Sequence, residues 1–488
     1  MKISQLFTAS LRTSAIAGAI AVVVSACSVG PDYKRPDAPE SAGYKEAAGW
    51  IVASPDDGHV PTDWWKRYGD SQLDDLELKV VSANATLAQA AATYRQERAL
   101  VQVARAAFFP QLSLNGGATR ARSSLGIGTG YAETQRSVTL DASWEPDLWG
   151  TVSRNVEAAE ATAVASGDTL ANTLLSLQSE LAIDYFQLRG VDATRKLLNE
   201  TIVQYQKALT LTQNQYKVGV AQLSDVVLAQ TQLVSTQAQA VDVGVQRAQL
   251  EHAIAVLVGM PPSAVTIDDD PLTEALLVPP APVSVPSLLL ERRPDIAVAE
   301  RQMAAANAQI GVATAAFYPV VSLSAAGGVD ALSTIALFST PARYWSLGAS
   351  VAQILFDGGQ RTGQLDAARA NYDGTVANYR QTVLSAFQSV EDSLAGLRIL
   401  ENEYGYQTEA VRLAQQAVNL QLNRYKAGTV AYTDVITAET TLLTNQRTQV
   451  NLLSERVVYN VQLVKALGGG WDVTQQDNPL AMGATPVS

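Results

Sequence analysis

The sequence predicts an α+β membrane channel fold in which each chain lends four β-strands to a shared barrel and continues them as long helical hairpins. Three observations carry this prediction. An export signal is followed by no apolar stretch long enough for a spanning helix, the chain is internally duplicated, and each half holds a very long run without proline.

The N-terminus sets the compartment. Lys2 and Arg12 precede and flank an apolar run from Ala15 to Val24, and small residues follow, as in a secretory signal. It closes on Val24-Ser25-Ala26-Cys27, which resembles the lipobox of bacterial lipoproteins and marks Cys27 for acylation. Cys27 is the only cysteine of the 488 residues, so no disulfide can form within the chain. By resemblance to sorted lipoproteins, Ser28 after that cysteine favours the outer membrane. Loss of residues 1–26 leaves 33 basic and 47 acidic groups, a net charge of −14. That balance argues against nucleic acid, whose phosphates need a basic face. No later apolar run reaches the length of a spanning helix, so a membrane crossing requires strands closed into a barrel.

The duplication keeps one constant offset along the chain. Ala104-Arg-Ala-Ala-Phe-Phe-Pro-Gln-Leu-Ser-Leu114 matches Ala313-Thr-Ala-Ala-Phe-Tyr-Pro-Val-Val-Ser-Leu323 at seven of eleven positions. At that same offset Gly150 pairs with Gly359, Tyr216 with Tyr425, Arg247 with Arg456 and Gly259 with Gly468. The expected organisation is a signal over 1–26, an N-terminal segment over 27–70 and a first repeat over 71–260. A Pro- and Asp-rich linker over 261–286, a second repeat over 287–469 and a tail over 470–488 complete it.

Each repeat opens with a helix, over 72–107 and 287–316, and Pro294-Asp295 suits the start of the second. Pro110 and Pro319 end these helices, because the residue before proline is driven toward extended backbone. Alternation of period two follows. Leu112 and Leu114, then Val138, Leu140, Ala142 and Trp144, interleave with small polar residues. Val321 and Leu323, then Trp345, Leu347, Ala349 and Val351, repeat the pattern. A sandwich packed on a core is the alternative for such strands.

The Pro-free runs Asn155–Lys217 and Gln364–Lys426 come next, each ~95 Å long if continuous. Val383, Phe387, Val390, Leu394 and Leu397 have coiled-coil spacing, as do Leu174, Leu177, Leu181, Tyr185 and Leu188. Gly219 and Gly428 break the helices, and second helices return over Asp225–Leu257 and Asp434–Leu467. Each pair is an antiparallel hairpin with its tip near Val218–Ser224 or Ala427–Thr433. Four strands cannot close a barrel, since the smallest membrane barrels use about eight. Two chains would supply too few strands for an open lumen; three would supply twelve.

Several stretches are specific. Cys27-Ser-Val-Gly-Pro-Asp-Tyr-Lys-Arg-Pro36, Trp64-Trp65, Leu290-Glu-Arg-Arg-Pro-Asp-Ile296, Ala305-Ala-Asn-Ala-Gln-Ile-Gly311 and Phe317-Tyr-Pro319 are similar to those of TolC/OprM-type outer membrane efflux proteins, in particular the NodT-like lipoproteins. The resemblance covers nearly the whole mature chain. It implies a homotrimer with a shared twelve-stranded barrel, an α-helical barrel and an equatorial belt drawn from segments near 40–70, 262–286 and beyond Gly468. It also implies a periplasmic membrane-fusion adaptor and an inner-membrane pump, usually of the RND class, with small molecules as cargo; a duct for secreted proteins is the alternative.

The same resemblance places a periplasmic gate at the returning helices, with Asp225, Asp434, Tyr425, Ser224 and Thr433 as its residues. An Arg that latches the second-repeat turn of TolC is replaced here by Val430, and a second acidic position by Thr437. Asp225 and Asp434 can equally cap their helices, and the two roles can coexist. An enzyme is disfavoured. His59 and His252 are the only histidines, and no metal cluster, phosphate loop or nucleophile set assembles around them. Asp268-Asp-Asp270 reads as a solvated connection, and no cofactor is expected. A periplasmic coiled-coil scaffold lacking a pore is disfavoured by the alternating strands.

Overall fold

The computed structural model describes residues 28–39, 43–46, 62–122, 132–273 and 293–471. Helices α1 (Ser71–Ala83) and α2 (Ala85–Ala106) lead into strands β1 (Gln111–Ala121) and β2 (Glu133–Trp144). The first hairpin follows as α3 (Thr151–Lys217) and α4 (Leu223–Leu257). The second half comprises α5 (Pro294–Ala315), β3 (Val320–Ala331), β4 (Arg343–Ala352), α6 (Gln360–Lys426) and α7 (Tyr432–Ala466). The starts of α2, β1, α3 and α4 recur at the repeat offset as the starts of α5, β3, α6 and α7. Among the described residues no helix is long and apolar enough to cross a membrane.

The expected single helix over 72–107 is two helices. Asn84 interrupts it, because its side chain is committed to the backbone. Nδ2 donates to the Leu257 carbonyl at 2.7 Å and Oδ1 accepts the Leu87 N–H at 2.9 Å, holding Asn84 at an extended ψ of 122°. α3 starts earlier than expected, at Thr151, since Asp147 accepts from the Val152 and Ser153 N–H groups at 2.9 and 2.7 Å.

The chain divides into two compact units. The first comprises Met1–Asp37, Tyr94–Ser166 and Ala299–Tyr379. It holds an antiparallel sheet in the order β1-β2-β3-β4. Register puts Leu114 opposite Leu140, Trp144 opposite Leu323, and Ala325 opposite Leu347, so the apolar positions of all four strands share one face. The other face is polar, with Asn115 donating to Asp141 (2.8 Å), Gln135 to Asp330 (2.7 Å), and Thr139 bonded to the Tyr344 hydroxyl (2.7 Å). β1 and β4 are exposed along their whole length, which removes the sandwich alternative. The strands are 11, 12, 12 and 10 residues long, enough to cross a bilayer at a tilt.

The segment from Ser28 to Asp37 is docked within this unit. The Val29 N–H donates to the Trp149 carbonyl at 3.1 Å, and Asn307 Nδ2 donates to the Pro31 carbonyl at 2.9 Å. Arg154 bridges Asp32 and Glu157 at 2.8 and 2.7 Å. Gly30 lies so close to Gly311 that a Cβ on it would sit 2.5 Å from the Gly311 Cα, and its φ of 99° belongs to glycine.

The second unit comprises Ala38–Thr93, Gly167–Val298 and Arg380–Ser488. Its core gathers Trp64, Trp65, Tyr68, Tyr185 and Phe186, with the Tyr68 hydroxyl donating to Asn460 Oδ1 at 2.6 Å. Asp70 caps α1 through the N–H groups of Gln72 and Leu73 and also accepts from Tyr185 and Arg189. The run Asp268–Asp270 is not simply solvated, because Asp269 pairs with Arg195 and Asp270 with Arg189. The seam of α6 is shifted from the expected one. Ala386 is fully buried beside Val383 and Val390, whereas Phe387 is half-buried, and in α3 Leu175 replaces Leu174. Positions i+3 and i+4 share a helix face, so spacing along the sequence does not choose between them.

Candidate functional site: the hairpin turns

Both hairpin turns close the same way. Gly219 and Gly428 have φ of 77° and 73°, with no atom within 4 Å of a would-be Cβ, so glycine is required for its backbone angle and not for space. The Val220 N–H returns to the Gln215 carbonyl at 2.9 Å, and the Thr429 N–H to the Arg424 carbonyl at 3.0 Å. These are Schellman closures that satisfy carbonyls at the helix ends.

The returning helices differ. Asp225 is the third residue of α4 and accepts the Gln222 backbone N–H at 3.4 Å, while the Gln222 side chain accepts the Asp225 N–H. Ser224 Oγ donates to Gln222 Oε1 at 3.3 Å. Asp434 holds the same place in α7, but Ala431 stands at the cap and its methyl group makes no cap hydrogen bond. Asp434 is exposed, as is Thr433, whose carbonyl accepts Thr437 Oγ1 at 2.8 Å. The two aspartates thus part company: Asp225 is engaged in a capping box, and Asp434 is presented to solvent.

Tyr425 is buried inside the chain. Its ring centroid lies 5.1 Å from that of Tyr432, and both join Tyr205, Leu209, Ala229, Leu233 and Val435 in one apolar cluster. Val430 packs against that cluster. Here the duplication is broken, since Tyr216, the counterpart of Tyr425, is 45% exposed. The ends of the two hairpins are also tied by polar contacts, Gln232 to Thr440 at 3.4 Å and Arg447 to Gln239 at 3.1 Å.

Sequence reasoning missed Tyr432, Tyr205 and Glu439. Tyr432 lies beyond the turn that follows Tyr425, where helical periodicity does not carry over, so no spacing in the sequence signalled the pair. Glu439 is 9% exposed, and burial pushes its carboxyl up to about 7. One of its carboxylate oxygens makes no hydrogen bond. It borders a cavity of about 710 Å³ lined also by Tyr205, Lys207, Lys426 and Leu443. Cys27 lies outside the described residues, although Ser28 beside it packs on Gly150.

A single-layer sheet with one apolar and one polar face, in one chain with paired helical hairpins, defines a membrane channel component. The outer membrane efflux protein family model matches residues 79–260 and again 285–469, and the chain belongs to that family. It is 31% identical to the antibiotic efflux pump outer membrane protein ArpC of Pseudomonas putida, over 96% of this chain and 97% of that protein. It is 30% identical to the pyoverdine export outer membrane protein OpmQ of Pseudomonas aeruginosa, over 93% and 97%. The outer-membrane channel OprN superposes with a TM-score of 0.85 at 30% identity, covering 91% of this chain and all of that structure. The chain is an outer-membrane exit duct of an efflux pump.

Proposed function

We propose that three copies close a twelve-stranded barrel through the outer membrane and form one duct for small molecules. A periplasmic membrane-fusion adaptor would engage the hairpin ends, and an inner-membrane pump of the RND class would supply the cargo. The observation that carries this reading is the open sheet. Among the described residues, β1 and β4 each have one strand neighbour, β2 and β3 respectively. In lipid each unpaired backbone group costs several kcal/mol, so both edges need another copy. Eight strands from two copies would leave an interior filled by side chains, whereas twelve leave a lumen. The polar sheet face supports a wet interior. The relatives' cargoes of antibiotics and pyoverdine support small molecules.

Acylation of Cys27 fits where its neighbour sits. Ser28 and Val29 lie against Gly150 and Trp149, and Trp149 stacks on Tyr318 with centroids 4.9 Å apart, directly before β3. Paired aromatics at strand ends suit the membrane interface, where an acyl chain would enter the bilayer. The Trp64–Tyr68 turn and the arginine-held Asp269 and Asp270 suit an equatorial belt. At the gate, Asp434 would face the constriction. Tyr425 and Val430 would act indirectly, by holding the second hairpin on the first, and Asp225 and Ser224 would stiffen the first turn.

The test is mass and conductance together. Protein in mild detergent should have a mass near three chains and conduct in planar bilayers. A single chain that conducts ions would sink the reading, because four strands enclose no pore.

A further inference from the structure

We propose that the outer end of the sheet carries a lipid-binding belt, in which Arg120, Arg136 and Arg343 grip the phosphate groups of anionic outer-leaflet lipids. The inference rests on the membrane-barrel reading above and names the lipid chemistry that its outward face selects.

The four strands hold three arginines and three carboxylates, and the sheet sorts them by face. Arg120 is in step with Leu112 and Leu114, Arg136 with Val138 and Leu140, and Arg343 with Trp345 and Leu347. All three arginines therefore stand on the apolar face. Glu133, Asp141 and Asp330 are out of step with those positions and stand on the polar face, where Asn115 donates to Asp141 and Gln135 to Asp330. No carboxylate of the strands shares a face with the arginines. Arg120 and Arg343 are exposed, and Arg136 is half-buried, its Nη1 donating to the Leu332 carbonyl at 3.1 Å. That bond holds the Arg136 guanidinium at the end of the sheet.

The arginines stand at one height relative to the apolar band. On β1, β2 and β4 alike, four apolar-face positions come before the arginine, beginning from the inner end at Leu112, Trp144 and Val351. At about 3.3 Å per residue these runs are ~26 Å long, or ~20 Å of bilayer at a tilt near 40°. The arginines thus come where hydrocarbon ends and headgroups begin. Trp345, 77% exposed, lies next to Arg343 on that face, as suits an interfacial aromatic. The helices continue from the other end of every strand, so the arginine end faces the cell exterior.

The belt is one-sided. Long basic side chains that merely reach for water would serve at both ends of a lipid-facing surface. Here the strands carry them at the outer end alone. A guanidinium presents a fork of donors that matches phosphate oxygens. Positive charge without a carboxylate beside it, confined to the outer boundary, fits lipids that bear phosphate there. The source is a lipid headgroup and not free phosphate, because the apolar band directly below the arginines takes the acyl chains.

The experiment is native mass spectrometry of the full chain in mild detergent with added lipid A, whose two phosphates make it the probe. The parent should retain lipid A on the three-chain species. Arg120→Gln/Arg136→Gln/Arg343→Gln should bind it about ten-fold or more weakly, and lipid A stripped of phosphate should bind the parent as weakly. Inorganic phosphate at the same concentration should not displace the lipid; displacement would overturn the headgroup assignment. Glu133→Gln, on the polar face at the same end, should leave binding unchanged, and a comparable change there would reduce the effect to net charge and overturn the belt. Equal binding by the glutamine variant, at a mass near three chains, would overturn the belt and leave the duct standing. If the glutamine variant loses that mass, Arg120→Lys/Arg136→Lys/Arg343→Lys decides, since it keeps the charge. Binding within about three-fold of the parent sustains the belt, and a larger loss overturns it. A single-chain mass for the parent would overturn barrel and belt together.

Discussion

Arg247 Nε donates to Asp192 Oδ1 at 2.8 Å, tying the arms of the first hairpin, and in the second its repeat counterpart Arg456 does the same with Glu401. The duplication thus copied an ion pair along with the helices that carry it. Burial has since diverged: the Asp192 side chain is fully buried, whereas that of Glu401 is 64% exposed.

That divergence predicts unequal costs. Arg247→Ala leaves a buried carboxylate facing Arg195 at 3.4 Å, and should destabilise the protein by about 3 kcal/mol. Arg456→Ala should cost less than about 1 kcal/mol, because water replaces the lost partner. Thermal melting of both variants checks this, and equal shifts would contradict the burial argument.

Glu439 predicts a pH dependence. An ordinary glutamate ionises near 4.5, but burial pushes this one to about 7. Between those values the folded chain holds a proton that the unfolded chain has released. Stability therefore falls as pH rises from about 4.5 through about 7, then levels off. Glu439→Gln should match the parent at pH 4.5 and exceed it at pH 8, by on the order of 1–3 kcal/mol. Melting curves at the two pH values decide it; a constant difference would remove Glu439 as the source.

Asp434 predicts selectivity. A ring of three exposed carboxylates at the constriction would attract cations and repel anions. Asp434→Asn should lower cation selectivity in planar bilayers with little change in melting temperature, since Asp434 caps nothing with its side chain. Asp225→Asn should do the reverse, weakening its helix start by about 0.5–2 kcal/mol. Unchanged selectivity with a clear loss of stability in Asp434→Asn would strike Asp434 from the gate.

Cys27 predicts the anchor. Cys27→Ser should abolish fatty-acid labelling of the mature chain, while trimers still form, because the strands hold the protein in the bilayer. Labelling that survives the substitution would refute acylation at this residue.

Much of the architecture was legible because it is written in local, repeated signals. Pro110 and Pro319 mark helix ends, period-two alternation marks the strands, and Gly219 and Gly428 mark the turns. Each acts through backbone geometry or one face of one element, so no distant partner is needed to read it. The open sheet followed by counting strands. The choices between neighbouring residues were not legible. Ala386 and not Phe387 enters the seam, Asn84 breaks a helix by bonding to Leu257, and Tyr425 turns inward to Tyr432 while its twin Tyr216 stays half exposed. Those outcomes depend on which side chains from remote segments arrive at the same place. Contact of that kind is a property of packing, where volume and hydrogen-bond partners are shared between elements, and only the tertiary structure decides it.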